Sequence, residues 1–235
     1  MLSPAPAGAS RLIPFITLRE GEHDLSRQSL VLRPHGVGMR LAYSHEGPDD
    51  RDYRGLLYAR MPQVLDAAGW PVGRPKREGV HPGRQRECMG EFFCHVRKRD
   101  VGEFTNALGV LFVEAVGPHD RTKPGWPEGH VTCQPPVCPA HAGNAVGLGP
   151  HVPRADVVAM RVRTQHWHGL LGTPYQPGPD GGDPQPAPTL DGSGETVIAF
   201  DDPQRHLFLG SHLAISLHDV TVVDLDREIA AADIP

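Results

Sequence analysis

The sequence predicts an α+β fold: a mixed or antiparallel sheet of short strands, a C-terminal helix and a small treble-clef-like module in the middle of the chain. Three observations lead there. Glycine takes 27 and proline 25 of the 235 positions while aromatics reach only 6%, so turns should be many and long helices few. The apolar runs are short and cut by those turn residues, as expected for strands. The four cysteines, Cys88, Cys94, Cys133 and Cys138, fall close to His141 in one stretch, with no cysteine elsewhere.

In chain order, Leu12 to Leu18, Ser29 to Arg33, Gly38 to Tyr43 and Tyr53 to Met61 read as strands of an N-terminal sheet. Pro62 to His81, rich in Pro, Gly and Arg, reads as a connecting loop. Gly83 to Phe93 has helical composition and places Met89, Phe92 and Phe93 on one side, with Cys94 just past its end. Val110 to Val116 is an apolar strand. Pro139 suits a first helical turn, so a short helix is expected over Cys138 to Val146. Val157 to Thr164 alternates as a strand and continues through His166-Trp167-His168. Thr173 to Gly194 reads as a mobile surface loop, and Thr196 to Phe200 as a strand. Asp202-Pro203 offers an acceptor cap and a proline at the first helical position, which predicts a helix to about Leu217. That helix should lay Leu207, Phe208 and Ile215 on a sheet. Val220 to Leu225 returns as a strand. The whole, residues 1–235, is expected to be one domain, with its cysteine module at about 83–147 and the loop at about 173–194.

Met1 to Ser10 lacks a basic start, and Pro14 breaks the apolar piece that follows, so neither a signal peptide nor a membrane span is expected. A cytoplasmic protein follows as the expectation. There, clustered cysteines favour metal over disulfides. Cys138 and His141 have the two-residue spacing that lets both reach one tetrahedral ion from the start of a helix, and Cys94 precedes them across a strand-containing segment. Thiolate and imidazole donors point to zinc. The expected ligands are Cys94, Cys133, Cys138 and His141, with Cys88 as the substitute for Cys133. Ordinary buried thiols without metal are the competing account.

Net charge is −5, yet Arg74 to Arg99 holds eight basic residues against three acids. Such a block could meet phosphate in a partner through Arg84, Arg86, Lys98 and Arg99. It could equally be neutralised internally, by Asp201, Asp202, Asp224 and Asp226 among others.

The stretches Arg11 to Leu18, Tyr53 to Arg60, Val80 to Met89 with its His-Pro-x-Arg-Gln-Arg, Pro135 to Ala142 and Ala199 to Leu217 resemble a family of uncharacterised actinobacterial proteins. The resemblance implies a Cys-x-x-Cys at Cys94 to Arg97 and a second at Cys138 to His141. Here the second pair is Cys/His, which zinc accepts, and Arg97 stands where a ligand is implied. The family supplies no activity.

No phosphate loop, dinucleotide fingerprint or His-Glu-x-x-His occurs. The residues therefore point to a zinc-stabilised binding protein of regulatory or assembly role, contacting an acidic partner, nucleic acid or protein. A metal-dependent hydrolase or nuclease acting on phosphoesters is the other reading, should Arg97 leave three protein ligands and a water. His119-Asp120, His130 and Asn144 are the residues a His-Asn-His nuclease would draw on, in reversed order. Cys-His nucleophilic catalysis through Cys88 or Cys133 lacks an oxyanion context.

Overall fold

The computed structural model describes residues 12–145 and 153–232. Val146, the last residue of the helix expected after Cys138, lies outside them. In chain order the elements are β1 (Thr17–Arg19), β2 (Leu30–His35), β3 (Gly38–Tyr43), β4 (Leu57–Tyr58), β5 (Pro75–Val80), α1 (Pro82–Gly90), β6 (Val110–Ala115), α2 (Pro118–Arg121), β7 (His130–Thr132), β8 (Val157–Pro177), β9 (Pro184–Pro186), β10 (Thr196–Ala199), β11 (Phe208–Val223) and α3 (Leu225–Ala232). The architecture is α+β, mostly sheet, with a helix at its C-terminal end.

Its backbone is a long antiparallel ribbon of β8 and β11, paired from Phe208 opposite Pro174 to Val223 opposite Ala159. At 21 and 16 residues both strands far exceed the common length of about 5–6. Their outer edges carry shorter strands: β6, β9 and β10 on β8, and β7 and a parallel β4 on β11. The β2–β3 hairpin and the β1–β5 pair form two further sheets. Gly36, at φ 57°, supplies the positive φ that a two-residue hairpin loop requires of its first residue.

The helix expected from Asp202 to Leu217 is not formed. Asp202 does cap Gln204 at 2.7 Å, but the turn ends after Pro203–Leu207 and the chain continues extended as β11. Buried Ile215 and Leu217 alternate with half-buried Ser216 and His218, a period of two that decides for a strand once β8 lies alongside. Phe208 and Ile215 are buried all the same, within the sheet and not on it. Phe208 packs with Ile198, and Ile215 packs with Val158, Met160 and Val162. The C-terminal helix is instead α3, tied to β8 by Arg161 and Glu228 at 2.6 Å.

Two expected loops also carry strand. β5 forms within residues 62–81, where its pairing with β1 satisfies the backbone. Thr173–Pro177 complete β8, and β9 folds back on them. β6 and β7 pair with β8 and β11 respectively and not with each other, so they do not form the paired hairpin expected of a treble clef among the described residues.

Where β8 crosses between its neighbours, Gly172 lies opposite both Thr196 and Gly210. A Cβ there would sit 2.1 Å from the Leu209 carbonyl oxygen. Gly172→Ala is therefore expected to cost about 1–3 kcal/mol through overpacking, read as a lower urea midpoint.

Candidate metal centre

Cys94 enters its position through the turn that follows α1. Its carbonyl accepts from the N–H groups of Arg97 (3.2 Å) and Lys98 (2.7 Å), and its own N–H donates to Arg99 at 2.6 Å. Lys98 closes this knuckle at φ 49°. Cys138 precedes the 3-10 turn Pro139–Asn144 and takes an extended conformation, while the His141 N–H donates to its carbonyl at 2.9 Å. The spacing read from the sequence thus puts Cys138 and His141 on one turn facing the knuckle.

The three side chains converge, their ligand atoms all lying within 4.8 Å of one another. The Cys94 and Cys138 sulfurs are 3.5 Å apart, and His141 Nδ1 lies 2.8 Å from Cys138 and 3.9 Å from Cys94. A tetrahedral ion with ligands at ~2.0–2.3 Å holds neighbouring donors about 3.3–3.8 Å apart, so small adjustments suffice. Backbone N–H groups of Cys138 and Arg97 point at the Cys94 sulfur, and that of His141 at the Cys138 sulfur. Such donors favour thiolate.

Without a metal the two thiols are joined by a hydrogen bond, Cys138 donating to Cys94. The hydrogen bond from Cys138 draws Cys94 down to about 4, against burial, which acts to raise it. Cys138 is correspondingly pushed up, by that bond and by burial. A bound cation would take the place of the shared proton.

Both sulfurs belong to a core cluster with Val96, Val101, Val137 and Ala142. The residue that fixes the knuckle there is His95, which the sequence reading passed over. It is fully buried, and its Nδ1 faces the Pro135 and Pro136 carbonyl oxygens at 2.8 and 2.9 Å. Two carbonyls can only accept, so Nδ1 carries the proton. A histidine next to Cys94 was the available signal.

Cys133 is not in the cluster. Thr132 ends β7, and the intervening Pro135-Pro136 keep the chain extended, so Cys133 and Cys138 can stand up to about 17 Å apart. The Cys133 thiol, pushed up to about 12 by burial and by Glu114, lines a separate cavity with Val80, Leu171 and His212. Cys88 is likewise outside, buried against Phe15 and Ile16, with burial raising its thiol.

The four basic residues expected to meet a partner do not share a surface. Arg84 is wholly buried and bound to Glu22 at 2.6 Å. Arg86 donates to the Ser211 carbonyl at 2.8 Å and lies over the Tyr58 ring. Lys98 pairs with Glu87 at 2.7 Å, and Arg99 stays exposed near Glu103. α1 is covered on both sides, Arg84 reaching Glu22 and the Thr17 carbonyl while Arg86 reaches the Ser211 carbonyl of β11. Gln85 between them binds Leu213 N, Leu213 O and Cys133 O. Of the nuclease candidates, Asn144 accepts from Leu12 N and His130 binds Glu114, both architectural contacts.

No helix among the described residues is long and apolar enough to cross a membrane. Comparison with known protein families, with curated proteins and with solved structures finds no match to this chain.

Proposed function

We propose that the chain is a zinc-stabilised binding protein with a regulatory or assembly role, in which Cys94, Cys138 and His141 hold the ion. The observation that carries this reading is the burial of both sulfurs within the core cluster of Val96 and Val137. An ion there fastens the knuckle to the 3-10 turn, and its binding energy becomes folding energy. Two thiolates and one imidazole suit zinc before harder cations. The acidic partner, nucleic acid or protein, would meet the bases that remain in solvent, Arg74, Lys76, Arg77, Arg97 and Arg99.

Metal analysis of the purified protein should return one zinc per chain, with two sulfurs and one nitrogen in its X-ray absorption shell. Binding to single-stranded or duplex nucleic acid should weaken steeply between low and physiological salt. Replacing Arg97 and Arg99 by Glu should reduce it without shifting the melting temperature. Absence of nucleic-acid binding even at low salt would leave an acidic protein as the partner class.

The count of three protein ligands among the described residues supports a second reading, a metal-dependent phosphoesterase with water in the fourth position. Chelator-sensitive hydrolysis of bis-p-nitrophenyl phosphate, lost in Cys138→Ser, would establish it over the first.

A further inference from the structure

Glu128, in the loop before β7, makes a contact that spans 90 positions of the chain: its Oε1 meets His218 Nδ1 at 2.9 Å. The backbone N–H groups of Asp219 and Val220 donate to the two oxygens of the same carboxylate at 3.3 and 3.4 Å. The chain enters the left-handed region at Asp219, φ 52°, which aspartate tolerates better than most side chains. A carboxylate that already receives two N–H groups can only accept, so the proton between Glu128 and His218 sits on Nδ1. The other ring nitrogen, Nε2, then presents a bare lone pair. It lies 3.0 Å from Ser216 Oγ, and the serine hydroxyl donates to it.

The sheet puts these groups together. Ser216 and His218 are two positions apart on β11 and share a face, while Ile215 and Leu217 are buried on the other. On β8, His166 stands directly opposite Ser216, and its ring centroid is 4.8 Å from that of His218. The His218 and Glu128 side chains are 34% and 54% exposed and Ser216 is half-buried, so the row is open to a solute. A hydroxyl on a neutral imidazole, itself oriented by a carboxylate, is the arrangement of an activated serine nucleophile.

We propose that Ser216, His218 and Glu128 form a serine esterase centre acting on carboxylic esters. His218 Nε2 takes the hydroxyl proton as Ser216 Oγ bonds to the acyl carbon, and passes it to the alkoxide as the ester C–O bond breaks. A water molecule then gives a proton to Nε2 and its oxygen to the acyl carbon. The acyl bond to Oγ breaks, Oγ recovers the proton, and the acid is released. His166, across the ribbon, supplies the donor for the oxyanion. Glu128 is a positioning residue that holds the Nδ1–H tautomer. The centre shares no residue with the Cys/His cluster and its chemistry needs no metal.

Incubation of the intact protein with diisopropyl fluorophosphate should place one diisopropylphosphoryl group per chain on Ser216, located by peptide mass spectrometry, and hydrolysis of p-nitrophenyl acetate should cease with it. Ser216→Ala and His218→Gln should each lower kcat/KM about hundredfold with no change in melting temperature. His166→Ala should lower kcat about hundredfold. Glu128→Gln, which keeps acceptors for the two backbone N–H groups, should lower kcat and leave KM unchanged. No label, or a label on another residue, would overturn the proposal. Hydrolysis that persists in Ser216→Ala but falls in His218→Gln would overturn it in favour of a histidine acting alone. Hydrolysis lost to chelator and retained in Ser216→Ala would overturn it in favour of the metal-dependent reading.

Discussion

Glu22→Gln is expected to lower folding stability by about 3–5 kcal/mol, the range for breaking one side of a buried ion pair. Glu22 is 4% exposed and its partner Arg84 is 0% exposed. Its two oxygens take Arg84 Nη1 at 2.6 Å and Nη2 at 2.8 Å, and one also accepts the Arg19 N–H at 2.6 Å. Arg19 is itself buried, and burial together with the Arg84 charge lowers its pKa. Removing the carboxylate thus leaves the Arg84 guanidinium in the interior without its counter-charge. The double replacement Glu22→Leu with Arg84→Met should cost less than Glu22→Gln alone, because no unpaired charge remains. Urea denaturation of the three variants checks the order.

The same carboxylate imposes a pH dependence. Burial alone would raise the Glu22 pKa, but the hydrogen bonds from Arg84 and from the Arg19 N–H outweigh it and hold it below the ordinary 4.5. A carboxyl whose folded value is depressed contributes stability that is complete above its unfolded value and is lost as pH falls through the folded one. Stability of the wild type should therefore drop below about pH 4.5 by an increment that Glu22→Gln lacks.

How legible the molecule was in its sequence depended on whether local chemistry or distant pairing decided each element. The β3 boundaries, Gly38 to Tyr43, follow from the turn residues and alternation around them, and α1 follows from the composition of Gly83 to Phe93, although the helix ends earlier, at Gly90. Residues 208–217 did not yield to the same treatment. Leu209, Leu213 and Leu217 recur at a helical spacing of four, and only the presence of β8 selects the alternating set. The convergence of Cys94, Cys138 and His141 was legible because spacing and an adjacent turn bring two of them together, leaving little freedom for the third. Cys133 misled because proximity in sequence says nothing about a Pro-Pro segment that extends. Arg84 and Arg86 misled for a related reason: a run of basic residues reads as surface until the docking face of its helix is known. Glu22, 62 positions away from Arg84, carries no local sign of the pairing.

Cys138→Ser is expected to abolish stoichiometric zinc and to remove the stabilisation that the metal confers. If zinc binds only the folded chain, free metal at a thousandfold excess over Kd adds about 4 kcal/mol, and a variant with one thiolate fewer forfeits nearly all of it. Cys138 is the sharper choice of the two thiols because it faces both other donors, Cys94 at 3.5 Å and His141 at 2.8 Å. Serine keeps the volume and the Pro139 turn, so loss of packing contributes little. The melting temperature of the wild type should fall on chelation to near that of Cys138→Ser, and chelator should leave the variant unmoved. Cys133→Ser, outside the cluster, should retain one zinc and respond to chelation as the wild type does. A Cys133→Ser protein that loses its metal, beside a Cys138→Ser protein that keeps it, would reverse the ligand assignment. Equal melting temperatures with and without chelator in the zinc-loaded wild type would instead separate metal binding from stability and take away the structural role of the site.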